Sequence, residues 1–328
     1  MGTTEIVQAL VSPTEKLIDA VSGAIGKAYE PRYVRKMAEA KSYELKLIAD
    51  AVRNNSDVPI VYDSTGVAID TSNYEEIAKR ASCRLAFQEI TKQQNIESIA
   101  DKAYEELESF DSVSNEPVSQ DWMSRFFNSV EDISDEKMQA VWAHILASEI
   151  KTPNTYSYRT IDKLKNMTRN EAELFQKVAS LSLRRGSTYF VLEDNDILNS
   201  HDVYIYHLLT LEECGLMSVQ SLILNIKVSE EQPDYLMTDK YISVIRGREA
   251  NKTQQLKLNI YKFTESGEQL INAIHPKTDE QYFIDCIKRI REKNSTVSVT
   301  AHRINYIADD GIINYDDVDI LSTSNNVG

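Results

Sequence analysis

Apolar residues at helical spacing dominate the first half of the chain, and alternating β-like runs enter only towards its end. The clearest start signal is Ser12-Pro13-Thr14-Glu15, a capping box with proline at the first helical position. Leu17, Ile18, Val21 and Ile25 form the stripe of the helix it opens. Ala20, Ala24 and Ala28 recur beside that stripe at intervals of four, and small residues so spaced let another helix or a bilayer surface approach closely. Pro31 interrupts. A second helix is expected from Arg32 to about Arg53, carried by Tyr33, Met37, Leu45, Ile48 and Val52, with Arg32, Arg35 and Lys36 gathered at its start. That pair of helices suits packing within the fold or on a second subunit, and its basic cluster also suits an anionic membrane surface. Residues 54–72 hold no period and read as a linker. Asn73, with Glu76 three residues on, should cap a long tract running to Phe110, with or without a break near Asn95. Its inward candidates are Ile77, Ala81, Phe87, Ile90, Ile96, Ile99, Ala103 and Leu107.

Shorter helices follow. Trp122, Phe126, Phe127 and Val130 mark one; Met138, Val141, Trp142, Ile145 and Leu146 mark the next, behind an Ile133-Ser134-Asp135 start. Thr168-Arg169-Asn170-Glu171 is a second capping box, opening a helix expected to reach the neighbourhood of Arg185 and to end at Gly186. Tyr189–Leu192 reads as a strand, and 202–214 as a helix stopped by Gly215. Leu216–Val228, Tyr241–Ile245 and Gln255–Phe263 are strand-like, and Phe263-Thr264-Glu265-Ser266-Gly267-Glu268 starts another helix. Beyond Pro276 come a helix on Tyr282, Phe283, Ile287 and Ile290, a strand at Thr296–Thr300, and an acidic tail expected to be mobile.

The stretch Leu209-Thr210-Leu211-Glu212-Glu213-Cys214-Gly215-Leu216-Met217, then strands, then the Thr264 step, resembles winged-helix domains. The expected fold is therefore mainly α with a small α+β winged-helix-like C-terminal domain. The corresponding divisions are 1–53, helices for assembly or membrane-surface contact; 54–72, linker; 73–155, helical domain; 156–275, winged-helix-like domain; and 276–328, helix, strand and acidic tail.

Charge narrows the partners. With 36 Lys and Arg against 51 Asp and Glu the chain carries −15, which repels phosphate backbones unless bases are gathered in one place. Asp101 to Glu136 alone holds eleven acids and two bases, either a solvated helical face or a dock for a basic partner. Bases also gather between Lys240 and Lys262, where Arg246, Arg248, Lys252 and Lys257 are the candidate phosphate contacts. The helix that would enter a DNA groove carries Asp202, Glu212 and Glu213 and no Lys or Arg, which argues against sequence readout. Cys83, Cys214 and Cys286 form no metal or redox pattern, and no leader or apolar run of about 20 residues is visible, so a cytoplasmic protein is expected.

Candidate chemistry is sparse. Phosphate-binding glycine loops are absent, and the histidines form no recognisable motif with Ser or Cys. His144, between Trp142 and Ile145, reads as a satisfied core or interface histidine, and His201 and His207 are spaced wrongly for a shared metal on one helix. No cofactor, metal or catalytic residue is assigned.

Two resemblances add to this. Pro13-Thr14-Glu15-Lys16-Leu17-Ile18, Ile25-Gly26, Tyr29-Glu30-Pro31, Gln94-Asn95-Ile96-Glu97, Asp121-Trp122 with Phe126-Phe127, and above all Trp142-Ala143-His144-Ile145-Leu146-Ala147 through Pro153 to Arg159-Thr160 look like a bacterial family catalogued as domain of unknown function number 2806. That resemblance implies no activity and no catalytic residues. In layout alone, a small-residue N-terminal helix with a C-terminal winged helix is similar to Abi-alpha type abortive-infection proteins, which implies a response to phage. The expected function is a non-enzymatic interaction and assembly module with a homo-oligomeric or other protein partner, Ala20, Ala24, Ala28, Arg32, Arg35 and Lys36 being its contact candidates. A nucleic-acid-binding regulator using the basic residues, and an enzyme built from carboxylates distant in sequence, are the alternatives.

Overall fold

The computed structural model describes residues 12–25, 29, 71–110, 112–250, 252–308 and 312–323. It divides into two compact units, Met1–Ile161 and Asp162–Gly328. The expected helix at 32–53 and nearly all of the expected linker lie outside the described residues.

The first unit is helical: α1 (Pro13–Ile25), α2 (Thr71–Leu107), α3 (Gln120–Val130) and α4 (Glu136–Lys151), with α5 (Tyr158–Asn166) running across the division. Pro13, Leu17 and Val21, four apart, form the buried ridge of α1, which packs on α3. The core between α2, α3 and α4 is aromatic. Trp122 stacks on Phe126 with centroids 5.1 Å apart, and Phe126 meets the edge of Trp142 at 5.5 Å. Trp122 reaches a partner, its Nε1 donating to the Tyr156 carbonyl at 2.8 Å. Asp135 caps α4 by accepting from the backbone N–H groups of Lys137 and Met138.

Helix α2 starts at Thr71 and passes through Asn95 unbroken. Asn95 is buried there, its Nδ2 donating 2.8 Å to the Glu131 carbonyl, so tertiary bonding satisfies a residue that sequence alone marks as a breaker. Among the described residues the covered face of α2 lies in its C-terminal half, on Ile99, Ala103 and Leu107. Ile77, Ala81 and Phe87, expected inward, are exposed.

The second unit overturns the expected fold class. Instead of a small winged-helix-like domain it is a large α+β domain built on one eight-stranded antiparallel sheet. The strands are β1 (Leu183–Arg185), β2 (Thr188–Leu192), β3 (Met217–Val228), β4 (Asp234–Met237), β5 (Tyr241–Gly247), β6 (Gln254–Phe263), β7 (Val297–Ile307) and β8 (Ile313–Tyr315), in the order β3-β6-β2-β1-β4-β5-β7-β8. Around it lie α6 (Arg169–Ser180), α7 (Asn195–Ser200), α8 (Ile205–Glu213), α9 (Glu265–Ile274), α10 (Glu280–Lys293) and α11 (Ile320–Thr323).

The reasons are local. The helix opened by the Thr168–Glu171 capping box stops at Ser180, and the chain turns back at Gly186, φ +59°, so Leu183-Arg184-Arg185 pairs with β2. The helix expected at 202–214 is α8, which begins only at Ile205 because Asp202 sits at φ +54°; α7, capped by Asp194, precedes it and has no counterpart in the sequence reading. Strand β7 continues well past Thr300, adding an edge that carries β8. Every residue from Tyr241 to Ile245 is buried, the pattern of a strand covered on both faces; α10 supplies one cover, with Phe283 stacked on Tyr241 at 5.3 Å. The Thr264 step has a steric explanation too. Thr264 caps α9 at the N–H of Gly267, and a Cβ on Gly267 would lie 2.1 Å from the Leu216 carbonyl oxygen.

The acidic tail is anchored as far as it is described. Asp319 accepts from the Ala301 and Leu321 backbone N–H groups at 3.1 and 3.2 Å and from Arg291 at 2.6 Å.

Candidate interaction surface

Helix α8 buries Leu208 and Leu211 and leaves its other side to solvent. On that side stand Tyr204, Ile205, Tyr206, which is 57% exposed, and Leu209, which is 45% exposed. The rings are organised. Tyr204 and Tyr206 stack with centroids 5.5 Å apart and planes 5° from parallel, and Tyr206 meets His207 edge-on at 4.2 Å. His207 Nδ1 accepts from the Tyr204 backbone N–H at 3.2 Å, which requires a neutral nitrogen. Burial, followed by the nearby Lys177 charge, lowers its pKa and so favours that state. The rim is acidic: Asp202, Glu212 and Glu213 border the helix, and Lys177 is held by Asp202, donating to its carbonyl at 2.9 Å. Exposed, pre-stacked aromatics beside aliphatics with a charged rim have the composition of a docking patch.

The sequence candidates scatter by comparison. Ala20 and Ala24 are half-buried on α1; Ala28, Arg32, Arg35 and Lys36 lie outside the described residues. Arg246 is exposed on β5, 3.4 Å from the Glu230 carbonyl, and Arg248 is exposed just beyond it. Lys252 pairs with Glu249 at 2.6 Å. Lys257 stands on β6 opposite Asn225, and the neighbouring pair on that exposed face is Gln255 with Lys227. Lys227 went unnoticed in the sequence because only the register of β3 against β6 brings it diagonal to Lys257.

Three polar clusters are the candidates for chemistry. His144 Nδ1 lies 2.7 Å from Glu106 Oε1, and its Nε2 lies 3.4 Å from Ser148 Oγ, the connectivity of an acid–base–hydroxyl relay. Ser148 is inside α4, however, where the surrounding N–H groups serve the helix itself and none is left to hold an oxyanion. Ser148 also bonds Tyr156, whose burial pushes its phenol up to about 12. The cluster ties α2 to α4.

Glu149 closes the adjoining corner. Its carboxylate accepts from the N–H groups of Asn154 at 2.7 Å and Tyr156 at 3.0 Å, while Lys16 donates to the Ser114 and Ile150 carbonyls at 2.8 and 2.9 Å. Burial raises the Glu149 pKa against the pull of those N–H groups and Lys16. The run from Trp142 to Pro153 thus bonds α1, α2 and residues 154–156 to α4.

In the second unit His201 has Asp279 and Asp285 each 3.2 Å from one ring nitrogen and lies edge-on to Tyr282. Both nitrogens are occupied by carboxylates, so neither is available to a metal. Among the described residues no group of three His, Cys, Asp or Glu is placed to hold an ion, and no helix is long and apolar enough to cross a membrane. The acidic stretch is similarly engaged in part: Asp101 accepts from Tyr29 at 2.7 Å, Glu131 pairs with Lys92 at 2.7 Å, and Asp135 caps α4.

A family model described as "Protein of unknown function (DUF2806)" matches residues 79–287, from the exposed part of α2 into α10. No curated protein and no solved structure matches.

Proposed function

The chain belongs to the DUF2806 family, and from that premise we propose that it is a non-enzymatic interaction module whose α8 face docks a protein partner. The observation that carries the reading is the solvent-facing set Tyr204, Ile205, Tyr206 and Leu209 on a helix whose opposite side is fully packed. The acidic rim favours a partner that presents apolar side chains flanked by Lys or Arg. The test is quantitative affinity capture from the native cell with the wild-type chain and with Tyr206→Asp/Leu209→Asp. A protein retained by the first and lost by the second, at unchanged melting temperature, supports the reading; an identical captured set removes it.

Nucleic-acid binding is the second reading, favoured by Lys227 on β3 lying diagonal to Lys257 on β6 across one exposed sheet face. Charge reversal at Arg246, Arg248, Lys252 and Lys257 should then flatten the salt dependence of binding, and an unchanged slope ends it. A role in defence against phage now rests on the small-residue N-terminal helix alone, because the eight-stranded domain stands where the Abi-alpha layout has a winged helix. Plaque counts on cells with and without the gene test it, and equal counts across a broad phage panel exclude it.

A further inference from the structure

Among the described residues nothing covers α2 between Glu76 and Glu89: every residue is exposed or half-exposed. A helical segment without tertiary support gains little in water, and one that stands alone should be polar all round. This one is not. Ile77 is 51% exposed, Leu85 59% and Phe87 72%.

We infer that this arm joins two copies of the chain, crossing antiparallel at Ala81. The argument is self-complementarity. Ile77, Ala81 and Leu85 lie four apart on one ridge, placed symmetrically about Ala81. A two-fold axis through Ala81 sets Ile77 of one copy against Leu85 of the other and brings the two Ala81 methyls together, where small side chains permit close approach. The flanking ridges match as well. On one side of the seam stand Glu76, Arg80 and Arg84; on the other Ala78, Ser82 and Ala86. The same axis lays each flank along its own copy: Glu76 beside Arg84 and Arg80 beside Arg80 on one side, Ala78 beside Ala86 and Ser82 beside Ser82 on the other. Two Glu76–Arg84 pairs of opposite charge therefore bracket the charged flank, outside the central Arg80 side chains, while the other flank is small throughout and permits close approach. An unrelated partner would not require this palindrome; a second copy does. The inference is independent of whether α8 docks a partner.

Cys83 supplies a native probe. It is exposed, two residues from Ala81 and so on the far side of the helix from the seam, whereas Cys214 is half-buried and Cys286 buried. The test is sedimentation of the full chain as wild type, as Ile77→Asp/Leu85→Asp, and as Ala81→Glu, which puts two carboxylates on the axis. The expected result is a wild-type dimer, with dimer affinity weakened at least tenfold in both variants and the melting temperature of the monomer unchanged. A spin label on Cys83 should report one inter-copy distance in the wild type and none in the variants. A monomeric wild type, or a dimer indifferent to both changes, overturns the inference. Tyr206→Asp/Leu209→Asp should leave the dimer intact, which separates failure here from failure of the α8 reading.

Discussion

Helices α8 and α10 carry similar numbers of apolar residues and do opposite things with them. Helix α10 turns Tyr282, Phe283, Cys286, Ile287 and Ile290 into the core, where Tyr282 also receives the Leu192 N–H at 3.1 Å. Helix α8 commits only Leu208 and Leu211 and leaves its aromatics outside. Helical spacing reports that a face is apolar; only the sheet beneath decides whether that face is covered. Burial can therefore be read as stability and exposure as availability, and that division can be broken by substitution.

The largest effect should come from α10. Phe283→Ala empties a fully buried site against Tyr241 and should cost about 3–5 kcal/mol, measured by denaturant unfolding. A loss under 1 kcal/mol would mean that the cover over β5 is looser than its burial implies. In the first unit, Glu149→Ala strands the N–H groups of Asn154 and Tyr156 and should cost about 1–3 kcal/mol. His144→Ala should cost less, because its ring and the Glu106 carboxylate remain partly solvated.

Acid sensitivity gives a finer comparison. Burial pushes Asp319 up, but the Ala301 N–H, Arg291 and the Leu321 N–H together hold its carboxyl below the usual aspartate range. A group depressed in the folded state stabilises above its unfolded pKa and loses that contribution as pH falls through the folded value. The second unit should therefore weaken as pH drops below about 4. Asp319→Asn should lose about 1 kcal/mol at neutral pH, since solvent screens the pair, and should show a flatter acid limb. An acid limb identical to the wild type would show that other carboxylates govern it.

Legibility in the sequence follows the same line between local and distant causes. The Thr168–Glu171 capping box, the Asp135 cap and the Thr264 step were readable because each closes within three residues. Strands β1 and β4 were not: Leu183-Arg184-Arg185 is short and charged and acquires strand character only by pairing with β2. A wing was expected where the sheet runs on through β7 and β8, because short paired segments carry no period of their own. His144 reads as satisfied from its apolar neighbours, yet its partner Glu106 is 38 residues away, a separation no local pattern records. Tyr204, Ile205, Tyr206 and Leu209 are visible as apolar letters, but their exposure is a property of the fold.

The smallest expected change in stability is the most discriminating. Tyr206→Ala removes a ring that is mostly in solvent, stacked only on Tyr204 and His207, and should alter unfolding by no more than about 0.5 kcal/mol. If the α8 face is a dock, that same truncation should weaken partner binding by about 2 kcal/mol, because an aromatic anchor acts only once a partner desolvates it. Stability and binding would then separate on one residue, the reverse of Phe283. Should Tyr206→Ala destabilise the fold as Phe283→Ala does, the exposed face is already covered by the chain itself, and the contrast between α8 and α10 disappears.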